Sequence, residues 1–230
     1  MFSINNLTFS YPDNPVFSQL NWNTGESRII GLIGRNGAGK TTLFKLIAGY
    51  LKSAGGEITL NGDKIRPGDC AFMETMPHFY PMITGREFLD IFKIRQPGFE
   101  ADRWNEFFKL PLDKTIEHYS TGMQKKLSFL SIIALNKKLL LLDEPFNGLD
   151  FDAVQLLRQI IPHISQRGST ILLSSHIPEA MITICDSISM LNKGEIAFTL
   201  PKNMFHNLNE AIGSSGTYNI DMLPFQNLEK

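Results

Sequence analysis

The segment Gly34-Arg35-Asn36-Gly37-Ala38-Gly39-Lys40-Thr41 constrains this chain more than any other. It follows Arg28 to Ile33, a short and nearly continuous apolar run with the pattern of a buried parallel strand. It leads into Lys40 to Ala48, where Leu43, Leu46 and Ile47 fall at helical spacing and Gly49 marks the expected helix end. Strand, glycine-rich bend and helix, in that order, make an anion cradle. Backbone N–H groups converge on phosphate oxygens only where side chains are absent, and the helix N-terminus adds a favourable dipole. The pattern is G-x-x-x-x-G-K-[ST], in which Lys40 reaches the outer phosphates and the Thr41 hydroxyl ligates Mg²⁺. Thr42, just inside the helix, completes the expected contact surface for ATP. A glycine-rich turn that binds nothing is the competing reading.

A second feature gives the cradle a chemistry. Leu139 to Leu142 is an apolar strand that ends in Asp143-Glu144-Pro145. A carboxylate at the C-terminal end of a strand lies at the rim where a parallel sheet binds nucleotide. Asp143 can hold Mg²⁺ there, and Glu144 can polarise an attacking water as general base. Two acids at a strand end are by themselves an ordinary solvated terminus. Their pairing with the phosphate loop is what points to hydrolysis.

The rest of the chain supports an α/β architecture. Phe2, Ile4, Leu7 and Phe9 form strand-like segments interrupted at Asn5-Asn6, and Pro12-Asp13-Asn14-Pro15 is a turn cluster. From about 77 to 133 the composition shifts toward Phe and Met, and Arg86 to Arg95 and Ala101 to Leu110 look helical, as an insertion. Strands are then expected at Leu139 to Leu142, Thr170 to Ser174 and Ser187 to Leu191, with helices at Phe151 to Ser165 and Pro178 to Ile184. That alternation argues a parallel sheet. The last thirty residues, with Asn207, Asn209, Gly213, Ser214, Ser215 and Gly216, read as a loose tail.

Composition excludes several classes. With 22 Lys+Arg against 23 Asp+Glu, the net charge of -1 is wrong for a strongly basic nucleic-acid binder. The apolar stretch from Leu127 to Leu142 is broken by Asn136, Lys137 and Lys138, so no run approaches the roughly 20 residues of a membrane span. Met1 to Ser10 alternates like a strand and not like a secretory signal. Cys70 and Cys185 lack metal-ligand spacing and suit a reducing compartment. A cytoplasmic protein is expected, one that serves a membrane only through a partner.

Taken together, these segments resemble the ATP-binding cassette (ABC) family of ATPases over about residues 2 to 200. Tyr11 stands where the family places an aromatic that stacks on adenine. Ser120-Thr121-Gly122-Met123 stands at the signature, Asn147-Gly148-Leu149-Asp150 resembles the loop after the acidic strand, and Ser174-Ser175-His176 resembles the switch histidine. The resemblance implies a P-loop NTPase core with a parallel sheet, an N-terminal antiparallel β subdomain and an inserted helical subdomain at about 77–133. The cassette would span 1–200, with a C-terminal tail at 201–230. It further implies a head-to-tail dimer, a homodimer in the first instance, in which Ser120 and Gly122 contact the γ-phosphate held by the opposite subunit. His176 would hold the attacking water for Glu144 as base. Asp150 would join the interface and orient its loop, a role compatible with capping the helix that begins near Phe151. ATP and Mg²⁺ are the implied ligands.

The signature departs from Ser-Gly-Gly-Gln by carrying Thr121 and Met123, a form similar to bacterial exporter cassettes, including those for peptide antibiotics. The segment Phe72 to Pro81 contains no Gln for the place that senses Mg²⁺ and water. The Tyr80-Pro81 landmark puts Thr75 there, while a one-residue shift puts Glu74 there, and Glu74 is the residue expected to act. His78, Phe79, Tyr80, Met82 and Ile83 are either the grip for a membrane partner or subdomain core. The expected function is the ATP-hydrolysing subunit of a transporter, peripheral on the inner face of the membrane through a separate permease, in the export direction. The alternative is a soluble cassette ATPase acting on ribosomes, nucleic acid or assembly partners. The single cassette, the lack of heptads and the balanced charge disfavour it, and no nucleic acid is expected. A P-loop kinase explains neither the signature nor His176.

Overall fold

The computed structural model describes residues 1–94 and 96–214. Strands β1 (Phe2–Tyr11) and β2 (Asn14–Asn23) form a hairpin that turns at Pro12-Asp13 and pairs Tyr11 with Asn14. Strict alternation would put Ile4 and Leu7 on opposite faces. An irregularity between them, with Asn6 at φ 52°, returns both to the core, which is why the pattern breaks at Asn5-Asn6. Next come β3 (Ile29–Ile33), α1 (Lys40–Ile47), β4 (Gly55–Leu60), the short β5 (Asp63–Lys64) and β6 (Cys70–Met73). The insertion supplies α2 (Gly85–Lys93) and α3 (Ala101–Phe108), and α4 (Thr121–Ala134) leads back to the sheet. The chain continues through β7 (Leu139–Leu142), α5 (Phe151–Gln166), β8 (Thr170–Ser175), β9 (Ser187–Asn192), β10 (Glu195–Pro201) and α6 (Leu208–Ser214).

The strands form two sheets. One is antiparallel in the order β2-β1-β4-β5. The other runs β10-β9-β3-β8-β7-β6, parallel throughout except for β10 at its edge. Side-chain parity on the parallel strands assigns two cores. Ile30, Leu32, Leu139, Leu141 and Leu172 face α1 and the N-terminal sheet, whereas Ile29, Ile33, Leu140, Leu142, Ile171 and Leu173 face the α4 side. Trp22 ties the sheets together by donating its indole N–H to Ser189 Oγ at 2.8 Å. Strands β3, β6, β7 and β8 all end on the same edge, and that edge carries the phosphate loop, Thr75, Asp143 and His176.

Two expected elements differ. The helix at Pro178 to Ile184 is a single 3-10 turn, Pro178–Ala180, followed by turns. The β-branched run Ile182-Thr183-Ile184 disfavours helix, and burial of Met181, Ile184 and Cys185 takes its place. Within the expected loose tail, Lys202–Asn207 makes 3-10 turns and α6 follows, because Phe205 and Leu208 bury against the core. The expected helix end at Arg95, and Ser215 and Gly216 of the tail, lie outside the described residues.

Candidate active site

The phosphate loop is shaped by what stands behind it. A Cβ on Gly34 would lie 2.6 Å from the Leu191 carbonyl of β9, so the loop leaves the sheet only with glycine there. Gly39 caps α1 at φ 104°, and its Cβ would stand 3.0 Å from the Phe17 ring. Lys40, buried at the first position of α1, donates to the carbonyls of Gly34 at 2.7 Å and Arg35 at 3.3 Å. Its ammonium therefore lies across the loop, 3.7 Å from Glu144 Oε1.

Asp143 is the fully buried centre of the site. Thr41 Oγ1 donates to its Oδ2 at 2.6 Å, Thr75 Oγ1 donates to the same oxygen at 2.7 Å, and Ser174 Oγ donates to Oδ1 at 2.5 Å. These are hard oxygen donors around one carboxylate, the set that suits Mg²⁺. Glu144 follows at φ 49°. Its N–H donates to Ser174 Oγ at 3.0 Å, its carbonyl accepts from Lys125 Nζ at 2.9 Å, and its Oε2 lies 3.0 Å from His176 Nδ1. Burial pushes the Lys125 pKa down, and the carboxylates of Glu144 and Asp143 pull it back up.

These groups line a cleft of about 480 Å³. Its walls include Tyr11, Asn14 and Val16 of the hairpin, the loop from Arg35 to Lys40, Thr41, Thr42, Thr75, Asp143, Glu144, Asn147 and His176. Gly34 stays behind the wall and contributes its carbonyl to Lys40. Tyr11 is exposed at the hairpin end, with its hydroxyl 3.5 Å from Thr42 Oγ1 and its ring edge-on to Phe9.

Glu74 does not reach the cleft, which corrects the expectation placed on it. Alternation along β6 sends Glu74 to the α1 side, where it stands 3.9 Å from Lys45 Nζ. Thr75, the residue the Tyr80-Pro81 landmark indicates, points the other way and binds Asp143. Ser120, Gly122 and Asp150 also lie outside the cleft wall. Ser120 caps α4 by accepting from the Met123 N–H at 3.3 Å, and Asp150 caps α5 by accepting from the Ala153 N–H at 2.7 Å. A Cβ on Gly122 would be 3.1 Å from the Gly148 carbonyl, so the start of α4 packs directly on the loop after the acids. Sequence reasoning assigned no role to Lys125 or Ser174, which are hidden in a signature helix and a strand end.

A parallel sheet that presents a phosphate loop, a hydroxyl-wrapped carboxylate and a second acid at one edge defines a P-loop nucleotide-binding protein. The family model for the ABC transporter matches residues 17–147, and the chain belongs to that family as an ATP-binding ATPase domain. It is 31% identical over 207 residues to the uncharacterized ABC transporter ATP-binding protein YhaQ of Bacillus subtilis, covering 85% of this chain and 69% of that protein. It is 29% identical over 220 residues to the lantibiotic transport ATP-binding protein SrtF of Streptococcus pyogenes, covering 91% and 95%. A solved ATP-binding subunit of an ABC transporter superposes with a TM-score of 0.78 at 25% identity, over 93% of this chain and 98% of that one. The chain spans between 61% and 74% of the length of four relatives from Bacillus, Methanocaldococcus and Nostoc. Among the described residues no helix is long and apolar enough to cross a membrane.

Proposed function

We propose that this chain is the energy-supplying subunit of an exporter: it hydrolyses ATP as half of a head-to-tail pair of cassettes and drives a separate membrane permease. The observation that carries this reading is a division of labour within one chain. Lys40, Thr41, Asp143, Glu144 and His176 converge on one cleft, whereas Ser120 and Gly122 sit at an exposed helix start outside it. A second copy turned head to tail brings that helix start to the open side of the cleft, where its N–H groups meet a phosphate. The cassette then extends over residues 1–200, with the helical subdomain at about 77–133.

The chemistry follows from the groups present. The loop N–H groups and Lys40 bind the phosphates and offset their charge, and Tyr11 offers a ring at the cleft mouth for the base. Thr41 and Asp143, steadied by Thr75, hold Mg²⁺, which supplies charge neutralisation of the phosphates when bound. Glu144 accepts the proton of the attacking water, and His176, in contact with its carboxylate, orients that water and the outer phosphate. The export direction rests on the Ser-Thr-Gly-Met signature and on the likeness to SrtF. Met76, Tyr80 and Met82, exposed beside the helical subdomain, supply the apolar surface for the permease, which keeps the subunit on the inner face of the membrane.

The test is the Glu144→Gln variant with ATP. It is expected to bind ATP, cease turnover and elute as a dimer. A variant that turns over at the wild-type rate, or that stays monomeric with saturating ATP, refutes the catalytic reading. Purification of a tagged chain from membranes tests the other half, since a wholly soluble pool free of any integral membrane protein refutes the permease.

A further inference from the structure

Helix α4 carries a buried charge that the phosphate chemistry does not use. Lys125 is 4% exposed, and the hydrogen bond it makes runs to the main-chain carbonyl of Glu144. A buried ammonium is costly, and a neutral donor would satisfy a carbonyl at less cost. The nearby carboxylates of Asp143 and Glu144 compensate part of that cost, so the ammonium is matched to the acidic strand end.

The carbonyl it holds belongs to a strained residue. Glu144 sits at φ 49°, a left-handed conformation that a non-glycine residue keeps only when its surroundings impose it. Pro145 follows and narrows its backbone freedom further. Ser174 takes the N–H of that residue and Lys125 takes its C=O. The two contacts grip Glu144 from both sides, and its carboxylate emerges toward Lys40 and His176.

The same helix begins at Ser120, about one and a half turns before Lys125. Its first turns touch the acidic loop at three places: Gly122 against the Gly148 carbonyl, Lys125 on Glu144, and Lys126 Nζ 3.7 Å from Asp150 Oδ2. The helix start and the loop from Glu144 to Asp150 form one packed body. We infer that Lys125 is a positioning residue that couples the exposed start of α4 to the orientation of Glu144. Phosphate engaged at α4 by the facing subunit thereby sets the base in this subunit's own cleft. The inference rests on the base and head-to-tail readings proposed above.

Full-length K125M, K125Q and K125R proteins test it, with E144Q as control. K125M keeps the stem but removes the donor. It is expected to lower kcat by about tenfold or more while the ATP KM and the affinity for a fluorescent ATP analogue stay within about twofold. The Hill coefficient for ATP falls toward one. K125R, which keeps donor and charge, restores turnover, and K125Q, one bond shorter and neutral, falls between. Should K125M fail to fold, K125Q decides: a loss of about threefold or more in kcat at unchanged KM supports the coupling. Wild-type kcat in the folded variants, or equal losses in kcat and nucleotide affinity, overturns it. An inactive E144Q beside fully active Lys125 variants sinks the coupling alone. An E144Q protein that hydrolyses ATP normally sinks the base reading and the coupling with it.

Discussion

At Asp143 three hydroxyl groups meet one carboxylate, and each has a separable consequence. Ser174 bridges Asp143 Oδ1 and the Glu144 N–H in a fully buried position. Ser174→Ala leaves both unpaired and is expected to destabilise the fold by about 1–3 kcal/mol, seen as a lowered midpoint in urea unfolding. Thr75 shares Oδ2 with Thr41, so Thr75→Val keeps the shape and removes the support. It is expected to raise the Mg²⁺ concentration for half-maximal turnover roughly tenfold, whereas Glu74→Gln leaves it unchanged. Equal Mg²⁺ dependence in the wild-type and Thr75→Val proteins defeats this assignment. The loop residues, Asp143, Glu144 and His176 were legible because their chemistry sits at fixed spacings along the chain. Thr75 against Glu74 was not settled that way, since one residue of strand parity sends the side chain to α1 or to the cleft. Ser174 and Lys125 were illegible for a related reason. Their partners come from another strand and another helix, and only the sheet register brings them together.

Among the elements, α2 shows how local signals fix a boundary that hydrophobic pattern alone places a residue late. Thr84 caps it by accepting from the Glu87 N–H at 3.2 Å, and Glu87 returns a bond by accepting from the Thr84 N–H at 2.8 Å. Helix therefore begins at Gly85, against an expected Arg86. Thr84→Ala is expected to cost about 1 kcal/mol, measured by thermal unfolding. The subdomain also carries an acid sensitivity. The Thr84 N–H and hydroxyl hold the Glu87 carboxyl below its usual range, and the hydrogen bond and charge of Arg86 do the same for Asp113. Each acid binds its proton more weakly folded than unfolded. Its contribution is present above the unfolded carboxylate pKa of about 4 and is lost as pH falls through the lower folded value. Amide protection in α2 is expected to fall on acidification below that range, and Thr84→Ala to flatten the Glu87 share of the fall. A profile identical in the two proteins rejects the cap as its cause. The turn at Pro178–Ala180 was misjudged as helix because burial of Met181 and Ile184, three residues apart, imitates a helical stripe.

For the whole molecule, the arrangement of the cores bears on the proposed pairing of two cassettes. The parallel sheet has cores on both faces, so its C-terminal edge is the surface left free for nucleotide. Helix α4 leaves that edge and exposes its start at Ser120, beyond the wall of the chain's own cleft. On the head-to-tail reading proposed above, a cleft is completed only when a neighbour lends it that start. This geometry predicts complementation. Lys40→Ala removes the cation of the cleft, and Ser120→Arg blocks the helix start, so each protein alone is expected to be inactive. In a mixed dimer that pairs head to tail, both defects fall in one site and the other site receives two wild-type halves. Equal mixing at random makes half the dimers mixed with one complete site each, so about a quarter of wild-type turnover is the ceiling. Loss of the α4 coupling in the Ser120→Arg chain is expected to hold recovery below it but above either protein alone. Steady-state phosphate release from the mixed proteins measures it. Both sites of either homodimer carry a defect, so recovery cannot come from a homodimer. No recovery on mixing, with both variants folded, mixed dimers formed and Ser120→Arg still binding ATP, would overturn the head-to-tail pairing.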